Sequence, residues 1–192
     1  EVSWSKLDNL KKGDLIAIQS VLPDDGVSMP IDFSIKGRLL NVPQPIQMTD
    51  NNLMWLLGAY IGDGCMEIDK STGKGRRVNL AIPKKDKAYP RLVEVMNQMG
   101  LVYTHSKNEV TVRINSTYLA ELLRYLGITG LAKTKLVPQW IYGLPISQKL
   151  AFIEGYMDTD GHIRKKKVKN GQQYGQIVFA SANKKLLEQM KN

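Results

Sequence analysis

Two phrases in this chain repeat each other 97 residues apart, and this repetition limits the folds that the sequence can adopt. The first, LLGAYIGDG at residues 56–64, is an apolar run that ends on Asp63 between two glycines. The second, IEGYMDTDG at residues 153–161, ends in the same way on Asp160. Self-similarity at a fixed offset is typical of internal duplication. We therefore expect two related units.

Hydrophobic periodicity and turn signals predict the elements of the first unit. They indicate a helix, two strands, a helix, two strands and a third helix, an αββαββα order. The 97-residue offset also carries Asp86 onto Asn183, so we expect the duplicated register to reach the next helix without a gap. Thr49 and Asp50 are N-cap candidates for the first motif helix, and Ser147 for the second. The fold class predicted is α+β.

The chain divides into three predicted parts. Residues 1–47 read as short strands and turns that end in the proline-bearing connector NVPQPIQ, so we expect a small β-rich segment with a linker. Residues 48–150 form the first unit. Residues 151–192 begin the second unit but do not complete it, so we expect the chain to be truncated at both ends relative to its parent.

Charge and cysteine usage indicate the class of partner and the compartment. The net charge is +9, and residues 161–192 hold eight basic groups and one acid. Such asymmetry favours a surface for a polyanion, although an ordinary basic surface remains the alternative. Cys65 is the single cysteine, which excludes an internal disulfide and fits a reducing, cytoplasmic location. The longest apolar stretch, residues 53–62, is half of the roughly 20 residues that a membrane span needs.

The two phrases resemble the paired signature of the LAGLIDADG homing endonucleases of the DOD type, and the αββαββα order resembles that family's repeated unit. The resemblance implies a monomer in which two motif helices pack at a pseudo-two-fold axis and their last acids meet at the active site. Small residues spaced by four, Gly58 with Gly62 and Gly155 with Thr159, would let the two helix backbones approach closely.

The terminal acids are the predicted catalytic and metal-binding groups. A carboxylate at a helix C-terminus faces the negative end of the helix dipole, which costs about 0.3–1 kcal/mol. A Mg²⁺ ion shared by Asp63 and Asp160, with Gly62 and Thr159 also assigned to the metal site, would offset this cost and support hydrolysis of a phosphodiester. The alternative is that each Asp-Gly pair merely ends a helix.

Further site residues follow from the resemblance. The stretch TKLVPQW resembles the family's Lys-x-x-Pro block, which implies that Lys135 neutralises charge or polarises the attacking water near the scissile phosphate. Basic and polar side chains on the hairpins are the expected contacts to the major groove and phosphates of double-stranded DNA with a long recognition site. The DNA-binding candidates are Lys74, Arg76, Arg77, Arg113, Arg164, Lys166, Gln172, Tyr174 and Gln176.

The segment WSKLDNLKKGDLIAI is similar to part of an intein splicing domain that precedes an inserted endonuclease. The leading hypothesis is therefore a site-specific, Mg²⁺-dependent DNA endonuclease embedded in an intein. One alternative is a protein of the same fold that binds nucleic acid without cleaving it, as RNA maturases or transcription factors do. Another is a basic structural protein with a duplicated fold, in which replacing Asp63 would change no activity.

Overall fold

The computed structural model describes residues 26–35, 45–167 and 173–191. Its elements follow the predicted order of helix, hairpin, helix, hairpin and helix, after which the order begins again. The helices are α1 Asn51–Asp63, α2 Tyr89–Gln98, α3 Thr117–Tyr125, α4 Ile146–Thr159 and α5 Lys184–Lys191. The strands are β1 Gly64–Ile68, β2 Gly75–Leu80, β3 Tyr103–His105, β4 Val112–Ile114, β5 Gly161–Lys167 and β6 Gln173–Phe179.

The strands form two antiparallel sheets. The first has the order β1-β2-β4-β3, and the second is the β5-β6 hairpin. One face of the first sheet is apolar and buried, since Val78, Leu80, Val112 and Ile114 are all at most 1% exposed. Helices α2 and α3 contribute their own apolar stripes to the same core. The opposite face of the sheet is therefore the one that can meet a ligand.

Helix α1 is buried on almost every side. Its residues Leu53 to Ile61 are all buried, because the helix lies between the core of the first unit and helix α4. This explains an apolar run without the polar stripe of a surface helix. Asp50 caps the helix by accepting a hydrogen bond from the Leu53 amide at 2.7 Å. The prediction of an Asp50 cap is thus confirmed, whereas that of Ser147 is wrong, since α4 begins at Ile146 after Pro145.

The duplicated register holds at the start of the hairpin and again after the hairpin, at Asp86 and Asn183, but not in the second strand. Gly64 pairs with Leu80 in the first hairpin, and Gly161 pairs with Phe179 in the second, so the far strand is offset by 99 residues and not 97. The prediction of a register without a gap is therefore wrong in the second strand. The offset returns to 97 at Asp86 and Asn183, each of which accepts from the backbone amide two residues later. The second hairpin is longer by two residues, and the connection after it is shorter by two.

The described part of the predicted N-terminal segment lies against the first unit. The Ile31 amide donates to the Gln47 carbonyl at 2.7 Å, and the ring of Phe33 packs 5.5 Å from that of Tyr118. The Tyr118 hydroxyl accepts from the Ile46 amide at 2.8 Å. The boundary near residue 48 and the three-part division remain predictions, because most of residues 1–47 lies outside the described residues.

Candidate active site

Helices α1 and α4 cross in direct backbone contact. A Cβ atom added to Gly58 would overlap the Phe152 carbonyl, and one added to Gly155 would overlap the Trp55 carbonyl. The two contacts are equivalent in the repeat, since Gly58 and Gly155, like Trp55 and Phe152, are 97 residues apart. The crossing therefore brings together two of the four residues assigned to the helix interface, and it leaves no room for a side chain at either position.

The other two interface residues meet where the helices end. A Cβ atom on Gly62 would overlap the Thr159 hydroxyl and lie 3.5 Å from the Asp160 Cβ atom. The Thr159 hydroxyl donates within its own helix, to the Tyr156 carbonyl at 3.0 Å. Asp63 is the last residue of α1, and Asp160 is the C-cap of α4. The helix crossing thus delivers both acids to one place.

The two carboxylates share a partly buried environment. Burial raises the pKa of Asp63, and the negative charge of Asp160 raises it further. Burial also raises the pKa of Asp160, while the Lys135 ammonium opposes the shift at both acids. A third acid, Asp86, adds a smaller upward contribution to the pKa of Asp63. Held together in this way, the carboxylates bind protons or cations more readily than exposed ones do.

Lys135 lies under the end of α1. It is 2% exposed, and its Nζ donates to the carbonyl groups of Tyr60 at 2.6 Å, Ile61 at 3.2 Å and Gly64. Nζ also lies 4.8 Å from the centre of the Tyr60 ring, within range of a cation–π interaction. An ammonium group has three donors, and each has a carbonyl partner here. Burial lowers the pKa of Lys135 to about 8, and the charges of Cys65, Asp160 and Asp63 oppose this shift.

This placement distinguishes the two roles predicted for Lys135. A side chain whose donors are all used on helix carbonyls cannot also orient a water molecule without losing one of them. Its charge, however, offsets both the negative end of the α1 dipole and the two acids beside it. Sequence reasoning connected Lys135 with the active site through its motif, but it gave no sign of the contact with α1, which joins residues 75 positions apart.

Replacing Lys135 with Met should destabilise the protein by about 2–3 kcal/mol, because the charge-assisted hydrogen bonds to the end of α1 are lost. Lys133→Met is the matched control, since Lys133 is exposed in the same loop and its replacement should change stability by less than about 0.5 kcal/mol. Urea denaturation of the three proteins provides the comparison. Equal midpoints for the wild type and Lys135→Met would show that the capping contacts contribute nothing.

The raised pKa values of the acids predict a pH-dependent stability. Above the ordinary aspartate value of 3.8, the folded protein binds more protons at Asp63 and Asp160 than the unfolded chain does. The contribution of these acids to stability therefore falls as pH rises through their folded pKa values. We expect the double variant Asp63→Asn/Asp160→Asn to melt at a higher temperature than the wild type at pH 7, with the difference shrinking toward pH 4. A difference of constant size across this range would contradict the prediction.

The donor set limits the kind of metal that could bind. Among residues 26–35, 45–167 and 173–191, no group of three or more His, Cys, Asp or Glu side chains is arranged to hold a metal ion. A cation would therefore depend on the two aspartates, with remaining ligands from backbone carbonyls, water or substrate. Mg²⁺ accepts such a set, since it usually binds one or two carboxylates and retains several waters. The raised carboxylate pKa values also fit a cation that would relieve their repulsion.

The alternation of side chains along a strand shows which face of the first sheet Arg77 and Arg113 occupy. Arg77 and Arg113 lie on the polar face of the sheet, because each alternates with buried residues of the apolar face. Arg76 is exposed and lies at a register irregularity, because Glu67 pairs with Arg77 and Ile68 pairs with Gly75, so strand alternation does not assign Arg76 to a face. Lys74 is exposed at the hairpin turn. The structure therefore groups Arg77 with Arg113 on the polar face.

Four of the five candidates of the second hairpin occupy one series of register positions. Arg164 pairs with Gln176, and Lys166 pairs with Tyr174 two positions further along. Residues at such positions share a face of an antiparallel pair. Arg164 and Gln176 are exposed. The side chains of Lys166 and Tyr174 and the whole of Gln172 lie outside what the structure describes.

Some site contacts have no signal in the sequence. The Trp55 Nε1 atom donates to Asp158 Oδ2 at 3.0 Å across the α1–α4 crossing. Lys87 Nζ lies 4.0 Å from Oδ1 of the same carboxylate. Asp158 therefore joins the two helices. Asp86 lies in the stretch KKDK, for which the sequence indicated only a helix start. The Asp86–Asn183 correspondence in the repeat could have drawn attention to it.

Comparison with known proteins relates the C-terminal part of the chain to a protein family. Residues 147–192, which contain α4 and its terminal acid, match the family model of a LAGLIDADG-like domain. This match supports the LAGLIDADG family. Members of that family are usually nucleases and bind DNA, which supports a coarse nuclease interpretation of the chain. Among the helices described, none has the length and apolar character that a bilayer crossing requires.

Two curated relatives share larger parts of the chain. The iron-sulfur cluster assembly SufBD family protein ML0593 of Mycobacterium leprae is 30% identical over 164 residues, which cover 82% of this chain and 18% of that protein. A DNA polymerase of Thermococcus kodakarensis is 25% identical over 127 residues, covering 64% of this chain and 7% of the polymerase. The chain thus spans less than a fifth of either relative.

Proposed function

We propose that this chain is the endonuclease region of an intein and that it hydrolyses both strands of a long, specific DNA site with Mg²⁺. The observation that carries the proposal is the meeting of Asp63 and Asp160 at the ends of two helices in backbone contact. Their raised pKa values and the match of α4 to a LAGLIDADG-like domain support the same conclusion.

Each part of the site has a proposed role. Asp63 and Asp160, next to Gly62 and Thr159, would hold Mg²⁺, which when bound would activate water and stabilise charge on the phosphate. Lys135 positions Asp63 by fixing the end of α1, and its charge helps to neutralise the acids. The DNA contacts would come from the basic and polar candidates of the two hairpins. These are Lys74, Arg76, Arg77, Arg113, Arg164, Lys166, Gln172, Tyr174 and Gln176. The two units would act as one monomer with pseudo-two-fold symmetry.

The intein context is supported by the relatives. Their names describe unrelated proteins, and the chain matches only a small fraction of each. A segment shared by otherwise unrelated proteins is the pattern expected of an inserted element. We propose a cytoplasmic setting, which agrees with the use of a single cysteine.

A cleavage selection tests the proposal. The 192-residue chain is incubated with a pool of double-stranded DNA of random sequence, in Mg²⁺ and separately in EDTA, and both the bound and the cut molecules are sequenced. We expect cut ends in Mg²⁺ that collect at one long sequence. Bound DNA without cut ends would favour the binding protein without cleavage, and no enriched sequence in either fraction would reject a DNA-directed function.

A further inference from the structure

The polar face of the first sheet contains one carboxylate in a basic surrounding. Strand register places Glu67 opposite Arg77, Cys65 opposite Asn79, and Asn79 opposite Arg113. These residues share the face opposite the buried core. Glu67 is the single acid within β1 to β4. A carboxylate repels phosphate, so its position on a DNA-facing sheet calls for a different ligand.

Glu67 is held in place and kept ionised. The Asn79 amide donates to Glu67 Oε1 at 3.0 Å, and this bond, aided by Arg77, lowers the pKa of the carboxyl group. The Glu67 side chain is 45% exposed, whereas Asn79 is 8% exposed. Asn79 therefore supports Glu67 from below, and the outer edge of the carboxylate stays open to a ligand.

An ion pair with Arg77 does not fully explain why Glu67 is held at this position. Both Glu67 oxygens lie 3.4 Å from Arg77 Nη1, which is long for a charge-assisted bond, while Arg77 Nε donates to Asn115 at 2.5 Å. Asn79 Oδ1 is buried and has no hydrogen-bond partner among the described residues. Leaving a buried acceptor without a partner costs about 1–3 kcal/mol. A simple surface ion pair therefore does not explain why a buried amide supports Glu67 at this cost.

We infer that Glu67 reads a cytosine in the major groove and that Asn79 is its positioning residue. A carboxylate accepts a hydrogen bond from the cytosine N4 amino group, whereas at adenine the N7 acceptor beside the amino group repels it. Glu67 follows Asp63 by four residues, or roughly 13 Å along an extended strand. The cytosine should therefore lie roughly four base pairs from the cleaved bond. This inference rests on the proposed function.

Comparing base preferences of Glu67→Gln and the wild type tests the inference. Glutamine keeps a partner for Asn79 but pairs with both N6 and N7 of adenine. At one position of the selected site we expect preference to move from cytosine to adenine by about tenfold, with other positions unchanged. Asn79→Ala should weaken the cytosine preference at that same position only. Glu154→Gln, an exposed acid-to-amide change on α4, is the matched control and should alter no position.

The outcomes separate this inference from the proposed function. If the wild type selects a sequence and Glu67→Gln selects the same one, the function stands and the inference fails. If Glu67→Gln binds all sequences more tightly by the same factor, Glu67 acts only through its charge and the inference also fails. If the wild type enriches no sequence at all, the proposed function fails first. Thermal melts of each variant verify folding, and Glu67→Asp, which withdraws the carboxylate by one methylene, should lose the cytosine preference as a second measurement.

Discussion

Asp63→Asn and Asp160→Asn are each expected to reduce DNA cleavage at least about a thousandfold, because an amide cannot supply the charge that holds a cation at the reacting phosphate. DNA affinity should stay within a few-fold of the wild type, since neither aspartate contributes attraction to phosphate. The measurement is single-turnover cleavage of the selected site in Mg²⁺, with binding measured in parallel.

Glu154→Gln is the matched control, because it removes a carboxylate from the exposed side of the same helix that ends near Asp160. Its cleavage rate should equal that of the wild type. Addition of Mg²⁺ should also raise the melting temperature of the wild type but not that of the double aspartate variant. Full cleavage by Asp63→Asn would exclude the two-acid mechanism, even if the selected DNA site is correct.

Gly155→Ala should lower the free energy of unfolding by about 3 kcal/mol, which for a chain of this size is a fall of roughly 6–12 °C in melting temperature. The added methyl group would overlap the Trp55 carbonyl, and a backbone carbonyl inside two packed helices cannot move aside. Helix propensity alone would favour alanine by about 1 kcal/mol. The same substitution at an exposed helical site would therefore stabilise the protein, whereas here we expect it to destabilise the protein.

Gly143→Ala provides the control for this effect. A Cβ atom on Gly143 would have nothing within 4 Å, and its backbone is not in the left-handed region. This substitution should be neutral or slightly stabilising. Gly58→Ala should behave like Gly155→Ala, since it meets the Phe152 carbonyl in the equivalent way. A normal melting temperature for both crossing variants would show that α1 and α4 do not touch at these glycines in solution.

The sequence predicts the order of the elements well, because the signals are local. The apolar run before Asp63 and the glycines on either side of that acid specify a buried helix and its end, and Asp50 caps the helix by accepting from the amide three residues later. The repeated phrase also identifies the two acids by their equal positions at helix ends. A pattern of this kind can be read without knowing what the helix packs against.

Contacts between distant residues are not predictable in this way. The motif connects Lys135 with the site, but nothing in the sequence shows that its side chain lies beneath the end of α1, where the chain returns after 75 residues. Glu67 and Asn79 become partners only through the pairing of β1 with β2. The two extra residues of the second hairpin are also hidden, since the equal spacing of Asp86 and Asn183 conceals an insertion that is compensated nearby.

The two faces of the first sheet differ in how freely their residues can be substituted. The apolar face carries the buried residues that hold the sheet on its helices, whereas the side chains of Glu67, Arg77 and Arg113 are partly or fully exposed on the other face. Under the proposed function, substitution on that outer face would alter the preferred target while the helix crossing and the acids stay in place. Under the proposed function, a lineage of such proteins would acquire new DNA targets by changing a few exposed residues, without altering the place where the two acids meet.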